Sequence, residues 1–349
     1  MKLHLFALSI TIIHACGPME KKTGHSEMVN VAEQPKEGQI GEYVVETFED
    51  SKGELWFGTL GKGVARYNGE SLEYITKQDG LPDNAVTCIA EDDAGNLWFG
   101  TQFGLSKFNG KTFENYAEDD GLVHFRVSSL LIDSKGILWV GTWNGVCRFD
   151  GSTFSEFYLP YPEIETTPNP DTKDWVTGII EDSKGNIWIG CDGYGAIKYN
   201  GENFEHHTKK RGLNANTVQA LQEDDLGNIW FGMRVAEKDN PDENKRFGKG
   251  GAVKFDGDGY TYFPEIEGLH TNGCFEIYKD RSGNIWLSTI ENGVYKYDGS
   301  TFTNYSVPIA IMCFLEDSNG KMWLGGSGGL YSIGSDGEVT NVTTNGPWK

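Results

Sequence analysis

Residues Val86–Leu122 read VTCIAEDDAGNLWFGTQFGLSKFNGKTFENYAEDDGL. Apolar residues alternate over short runs, and each run ends at Gly, Asn or Asp, which is the pattern of β-strands joined by tight turns. Four strands follow in order. Strand A is Val86 to Glu91, and Asp92-Asp93-Ala94-Gly95 is its turn, with Asp supplying local backbone bonding and Gly a positive φ. Strand B is Asn96 to Thr101, strand C runs from Gly104 to Phe108, Asn109-Gly110 is a hairpin dipeptide, and strand D is Thr112 to Tyr116. Gly121-Leu122 leads onward.

The unit recurs. ELWFGT, NLWFGT, ILWVGT, NIWIGC, NIWFGM, NIWLST and KMWLGG place Trp at positions 56, 98, 139, 188, 230, 286 and 323, with spacings of 42, 41, 49, 42, 56 and 37. A period near 40 with strand content marks a β-propeller, whose four-stranded blades cannot bury their faces alone. Seven copies predict an all-β, seven-bladed propeller over residues 43–349, with the repeat tryptophans packed between blades. The composition agrees: 46 glycines in 349 residues supply turns, and 10 Trp, 15 Tyr and 19 Phe supply core. The last unit, ending GEVTNVT (337–343), carries its own outer strand, so ring closure without a swapped strand is expected.

These repeats resemble the two-component regulator propeller family, whose unit runs GL, V and I, ED, G-NLW, GT and GL. The resemblance covers about residues 43 to 343. It implies a propeller of the kind found in the periplasmic region of hybrid histidine kinases, often in carbohydrate sensing. No transmembrane, kinase or receiver segment follows here, so direct signalling is not expected.

The N-terminus reads as an address. Lys2 precedes the apolar run Leu5–Ile13, too short to span a bilayer, and the whole is a secretory signal over residues 1–15. Ile13-His14-Ala15-Cys16 resembles the lipobox of bacterial lipoproteins, which implies a lipidated Cys16 and an outer-membrane anchor. Residues 16–42 are polar and aperiodic and read as a tether. In some Bacteroidetes an acidic run after that cysteine directs export to the surface, but here only Glu20 precedes Lys21 and Lys22. The side of the membrane stays open. The formal charge of −21 and the lack of a basic stripe exclude nucleic acid as a partner. Cys88, Cys147, Cys191, Cys274 and Cys313 are odd in number and lack CxxC spacing, so buried free thiols are expected.

In a blade the B-to-C turns and D-to-A loops share one face. On the other face the turns are monotonous (DSKG, DDAG, DSNG; YNG, FNG, FDG), and their Asp residues read as turn formers rather than calcium ligands. The first face diverges between repeats. After the GT pair stand Leu60, Gln102, Trp143, Asp192, Arg234, Ile290 and Ser327; before strand A stand Tyr43, Ala85, Arg126, Trp175, Thr217, Gly273 and Ala310. The two long spacings, from YLPYPEIETTPNPDTKDW and RVAEKDNPDENKRFGKG, fall on this face too. Loops on a rigid scaffold carry function. Trp143 and Trp175, with Phe103, Phe125, Tyr161 and Tyr194 beside them and Gln102, Asp192, Arg126 and Arg234 for orientation, are candidates to hold a sugar or peptide. The alternative is that these aromatics pack the long insertion onto the body.

No Ser-His-Asp order, HExxH motif or phosphate-binding Gly loop occurs, and neither metal nor cofactor is expected. Of the histidines only His124 and His270 reach the divergent face. Streptogramin lyases are also seven-bladed propellers, and His270 near Glu291 resembles part of such a site. The expected function is an outer-membrane-anchored binding module for a glycan or a partner protein, with a scaffold subunit of an envelope complex as the alternative and a metal-dependent lyase behind both. A glycan binder requires Trp143 and Trp175 exposed and nearly coplanar, a scaffold a wide apolar patch, and an enzyme acid–base groups with shifted pKa values at the channel mouth.

Overall fold

The computed structural model describes residues 39–164, 172, 174–234, 250–264, 266, 269, 273–290, 292–334 and 336–348. Cys16, the signal, most of the tether, the middle of each long insertion, His270 and Glu291 therefore lie outside the described residues.

Seven antiparallel sheets of four sequential strands form the seven blades. In the blade quoted above the strands are Val86–Glu91, Leu97–Thr101, Gly104–Phe108 and Phe113–Tyr116, within one residue of the sequence reading. The inner strand of each blade lies beside the inner strand of the next, and that of the last blade (Ile311–Glu316) meets that of the first (Val44–Glu49), so the ring is closed.

One device repeats in every blade. The repeat tryptophan donates its indole Nε1–H to the Asp that opens the A-to-B turn, from Trp56–Asp50 at 3.0 Å through Trp188–Asp182 at 2.8 Å to Trp323–Asp317 at 2.8 Å. The second carboxylate oxygen accepts the backbone N–H groups two and four residues on, as Asp182 does from Lys184 and Asn186. In six blades a cation from the neighbouring strand lies over the indole, for example Arg66 at 5.5 Å from Trp56 and Lys198 at 5.2 Å from Trp188, and in the seventh Lys321, two residues before Trp323, lies over its ring at 4.0 Å. The turn carboxylates are thus consumed internally, and no metal-binding group of His, Cys, Asp or Glu occurs among the described residues.

Adjacent blades are joined in two layers. In the core, each repeat tryptophan packs on the next blade, as Trp188 packs on Phe231 at 5.9 Å. The glycine two residues after it, Gly100 in blade 2, fits this closeness: a Cβ there would crowd Cys88 of its own blade and sit 2.7 Å from Val127 of the next. At the rim, the Glu ending an inner strand accepts bonds from the previous blade's turn, as Glu181 does from Ser134 and Glu223 from Ser183. The Ser318 N–H to Glu49 bond at 2.9 Å makes the same link across the closure. Between blades 5 and 6 the charges are exchanged, with Lys279 donating to Asp225 at 2.8 Å.

The last sheet is completed by its own strand, Val339–Asn341, so no strand is swapped. The chain ends seal this seam instead. Ile40, from the end of the segment read as tether, is buried and its N–H bonds to Thr343. Trp348 is buried against Phe57, Tyr67 and Trp323. All five described cysteines are buried and free, and burial pushes the Cys147 thiol up to about 11. His207 ends the outer strand Phe204–His207 of blade 4, yet its side chain is buried between blades 4 and 5, stacked on Phe231 and bonded through Nδ1 to Tyr260 Oη at 2.7 Å.

Asp182→Ala leaves the buried indole N–H of Trp188 and two turn amides without their acceptor, at a cost of about 2–3 kcal/mol. Urea unfolding is expected to show a lowered midpoint with an unchanged slope; an unchanged midpoint would show that the carboxylate is not a stabilising element.

Candidate functional site

The two divergent positions of each blade are tied by one backbone hydrogen bond. The residue after the GT pair donates its N–H to the carbonyl of the residue before the inner strand: Leu60 to Tyr43, Gln102 to Ala85, Trp143 to Arg126, Asp192 to Trp175, Arg234 to Thr217, Ile290 to Gly273 and Ser327 to Ala310, all between 3.0 and 3.3 Å. Each blade therefore holds its two divergent positions side by side on one face on a fixed backbone frame, with Gly273 adding no side chain in blade 6.

From blade 2 to blade 5 these pairs merge into a continuous stack. Phe103 stacks on Phe125 at 5.5 Å, and the Arg126 guanidinium lies 5.8 Å from Phe125 and 4.5 Å from Trp143. Trp143 stacks on Trp175 at 4.9 Å with 24° between the rings, and Arg234 covers the Trp175 ring at 5.3 Å. Arg234 also pairs with Asp192 at 3.6 Å, and Asp192 accepts a 2.6 Å bond from the Thr172 hydroxyl. His124 backs the stack, parallel to Phe125, and its Nδ1 accepts the Arg126 N–H at 3.1 Å. Burial holds the His124 pKa below its usual value.

This alters the expected picture of the tryptophans. Trp143 and Trp175 are neighbours, but they are face to face rather than coplanar, and both are half-buried. Their outer faces are taken by the two guanidiniums, so neither offers a free platform. The exposed ring is Phe103, at 61%. Tyr194 is separate from the stack; its ring packs on Tyr161 at 4.5 Å against the core between blades 3 and 4, as the insertion-packing alternative requires. Gln102 sits half-buried between Ala85 and Phe103. Tyr43 and Leu60, the divergent pair of blade 1, are exposed at 40% and 46% and were not among the candidates, although they occupy the diagnostic positions.

Below the mouth, the inner strands of blades 1 and 6 place Glu46 and Glu276 on either side of blade 7, whose inner strand carries Cys313. Burial pushes both carboxyls up to about 8, and the charge of Glu46 adds to the shift at Glu276. The charge of Glu46 also raises the thiols of Cys88 and Cys313. The backbone N–H of Thr47 donates to Glu46 at 2.9 Å and that of Ile277 to Glu276 at 3.2 Å.

Known proteins place this geometry in context. Residues 80–103, 125–144, 172–193, 212–234 and 307–328 match the two component regulator propeller family model. A histidine kinase P4 of Formosa agariphila is 42% identical over 57 residues, 15% of this chain and 4% of that protein. The extracellular domain of a hybrid two component system from B. thetaiotaomicron superposes with a TM-score of 0.65 at 21% identity, covering 83% of this chain and 39% of that one. Virginiamycin B lyase from Staphylococcus aureus does so at 0.63 and 11% identity, covering 85% and 96%. The chain thus spans well under half the length of the two sensor proteins, and at these identities the solved structures share its fold.

The channel carboxyls set a pH dependence. A carboxyl whose pKa is near 8 when folded and near 4.5 when unfolded costs nothing below pH 4.5, and its penalty grows as pH rises to about 8. Glu46→Gln is therefore expected to match the parent at pH 4.5 and exceed its stability by about 1–2 kcal/mol at pH 8, as read by denaturant unfolding. Equal stability at both pH values would show the carboxyl to be ionised in the channel.

Proposed function

We propose that this chain is an extracytoplasmic binding module that takes a glycan on the divergent face of its propeller. The observation that carries this is the merging of the divergent residues of blades 2 to 5 into one ordered stack, from Phe103 to the Arg234–Asp192 pair. Invariant turns build the scaffold, and variation is concentrated where side chains meet solvent in an arrangement already assembled without ligand, which lowers the ordering cost of binding. The similarity to the extracellular domain of a sensor system supports a ligand-binding role, and the family resemblance puts glycans first. The lipobox-like Cys16 supports an anchor in the outer membrane.

One observation favours a second reading. Tyr43, Leu60 and Phe103 form an exposed apolar arc on blades 1 and 2 of the same face, which suits a protein partner and a scaffold role in an envelope complex. A lyase reading rests on His270 and Glu291, which lie outside the described residues.

Thermal melting against a panel of oligosaccharides separates these readings, because a ligand at 100 times its Kd adds about 2.7 kcal/mol to the folded state. One sugar class is expected to raise the melting temperature, with Phe103→Ala removing the shift and Leu226→Ala, exposed in an A-to-B turn on the opposite face, preserving it. No shift across the panel, with crosslinking to an envelope protein through the blade 1 and 2 arc, would replace the glycan with a protein partner. For the anchor, Cys16→Ser is expected to end fatty-acid labelling and release the protein from membranes; retention of label would disprove lipidation at that residue.

A further inference from the structure

The two arginines that bracket the tryptophan pair are not equivalent. Arg234 faces Asp192, which Thr172 holds in place, so that end of the stack is neutralised. Arg126 has no ion-pair partner among the described residues, although the chain carries 51 acidic against 30 basic side chains. Its guanidinium carbon lies over the Phe125 and Trp143 rings, 5.8 and 4.5 Å from their centroids. A guanidinium carries its N–H donors in one plane as a fork that matches a carboxylate or sulfate. His124, its near neighbour, has its pKa lowered by burial and its Nδ1 occupied, so Arg126 supplies the local positive charge. Next along the stack is Phe103, the most exposed aromatic ring of this face.

Resting on the glycan reading above, we propose that the ligand is an acidic oligosaccharide: Arg126 receives a carboxylate or sulfate of one sugar while the open face of Phe103 packs on the apolar face of an adjoining ring. The spacing supports this, since both groups flank the single ring of Phe125 and so lie within one or two sugar units of each other. The surrounding acidity contributes selectivity. On a protein of net charge −21 an anionic ligand is repelled by most of the surface, so binding depends on the Arg126 guanidinium and weakens with added salt. The covered faces of Trp143 and Trp175 then act as the rigid backing that keeps Arg126 in register, a positioning role rather than a stacking platform.

The test is calorimetric titration of the purified protein with short oligogalacturonates and with the same oligomers as methyl esters, which differ only in charge. A second arm uses a sulfated galactan oligomer and its desulfated form, to separate carboxylate from sulfate. In at least one arm the acidic member is expected to bind ten-fold or more tightly than its neutral counterpart. Arg126→Gln should reduce it to the affinity of the neutral form, and Phe103→Ala should weaken both. An unchanged melting curve for unliganded Arg126→Gln shows that the fold is retained. Equal binding of charged and neutral members, unaffected by Arg126→Gln, would overturn the acidic ligand and leave the glycan reading standing. No binding by any oligomer would overturn both.

Discussion

The bond from the repeat indole to the turn aspartate is the constraint on which the rest of the molecule depends. A propeller blade must bury a large aromatic ring against its neighbour, and the ring brings an N–H that cannot be left unpaired in the core. The Asp six residues upstream resolves both demands: one oxygen takes the indole, the other takes two amides of the turn that reverses the chain. Turn geometry, strand register and the orientation of the tryptophan are therefore set together. Seven repetitions give seven four-stranded blades, and at five junctions rim bonds between turn and glutamate orient one blade on the next.

A rigid frame of this kind separates two roles within the same chain. On one face the turns are saturated with internal bonds and vary little. On the other, a single backbone bond per blade fixes where two side chains stand without dictating what they are. The mouth can therefore change chemically while the scaffold is conserved between repeats. In blades 2 to 5 that freedom produces the aromatic and guanidinium stack; in blade 1 it produces an exposed apolar pair. The two halves of the face thus offer different chemistry on one geometry, and within the stack Arg126, unlike Arg234, has no carboxylate partner among the described residues.

Much of this was legible before the fold was seen, and the reason is local. Strand boundaries in the blade containing Trp98 were read to within a residue because each strand is short, alternates in polarity and ends at a Gly or Asp with a defined turn role. Comparison of repeats also identified the divergent positions, and Arg126, Trp143, Trp175, Asp192 and Arg234 do meet. Ring orientation was not legible. Whether two tryptophans lie edge to edge or face to face depends on the twist between blades and on which residue fills the flanking space, and here two arginines fill it. The burial of His207 was not legible either, for a related reason: the outer strand of one blade covers part of the gap to the next, so an outer position is not an exposed one.

Residue pattern alone determined the number of blades, the strand order, the burial of seven tryptophans and five thiols, and the face on which variation accumulates, because all of these follow from repeats acting within one blade or between identical neighbours. Tertiary structure decided what happens where neighbours differ. It sealed the seam with Ile40 and Trp348 instead of a swapped strand, set Glu46 and Glu276 on either side of one inner strand, and left Arg126 unpaired while Arg234 was neutralised. Those outcomes depend on distances between residues far apart in the chain, which no repeat unit contains.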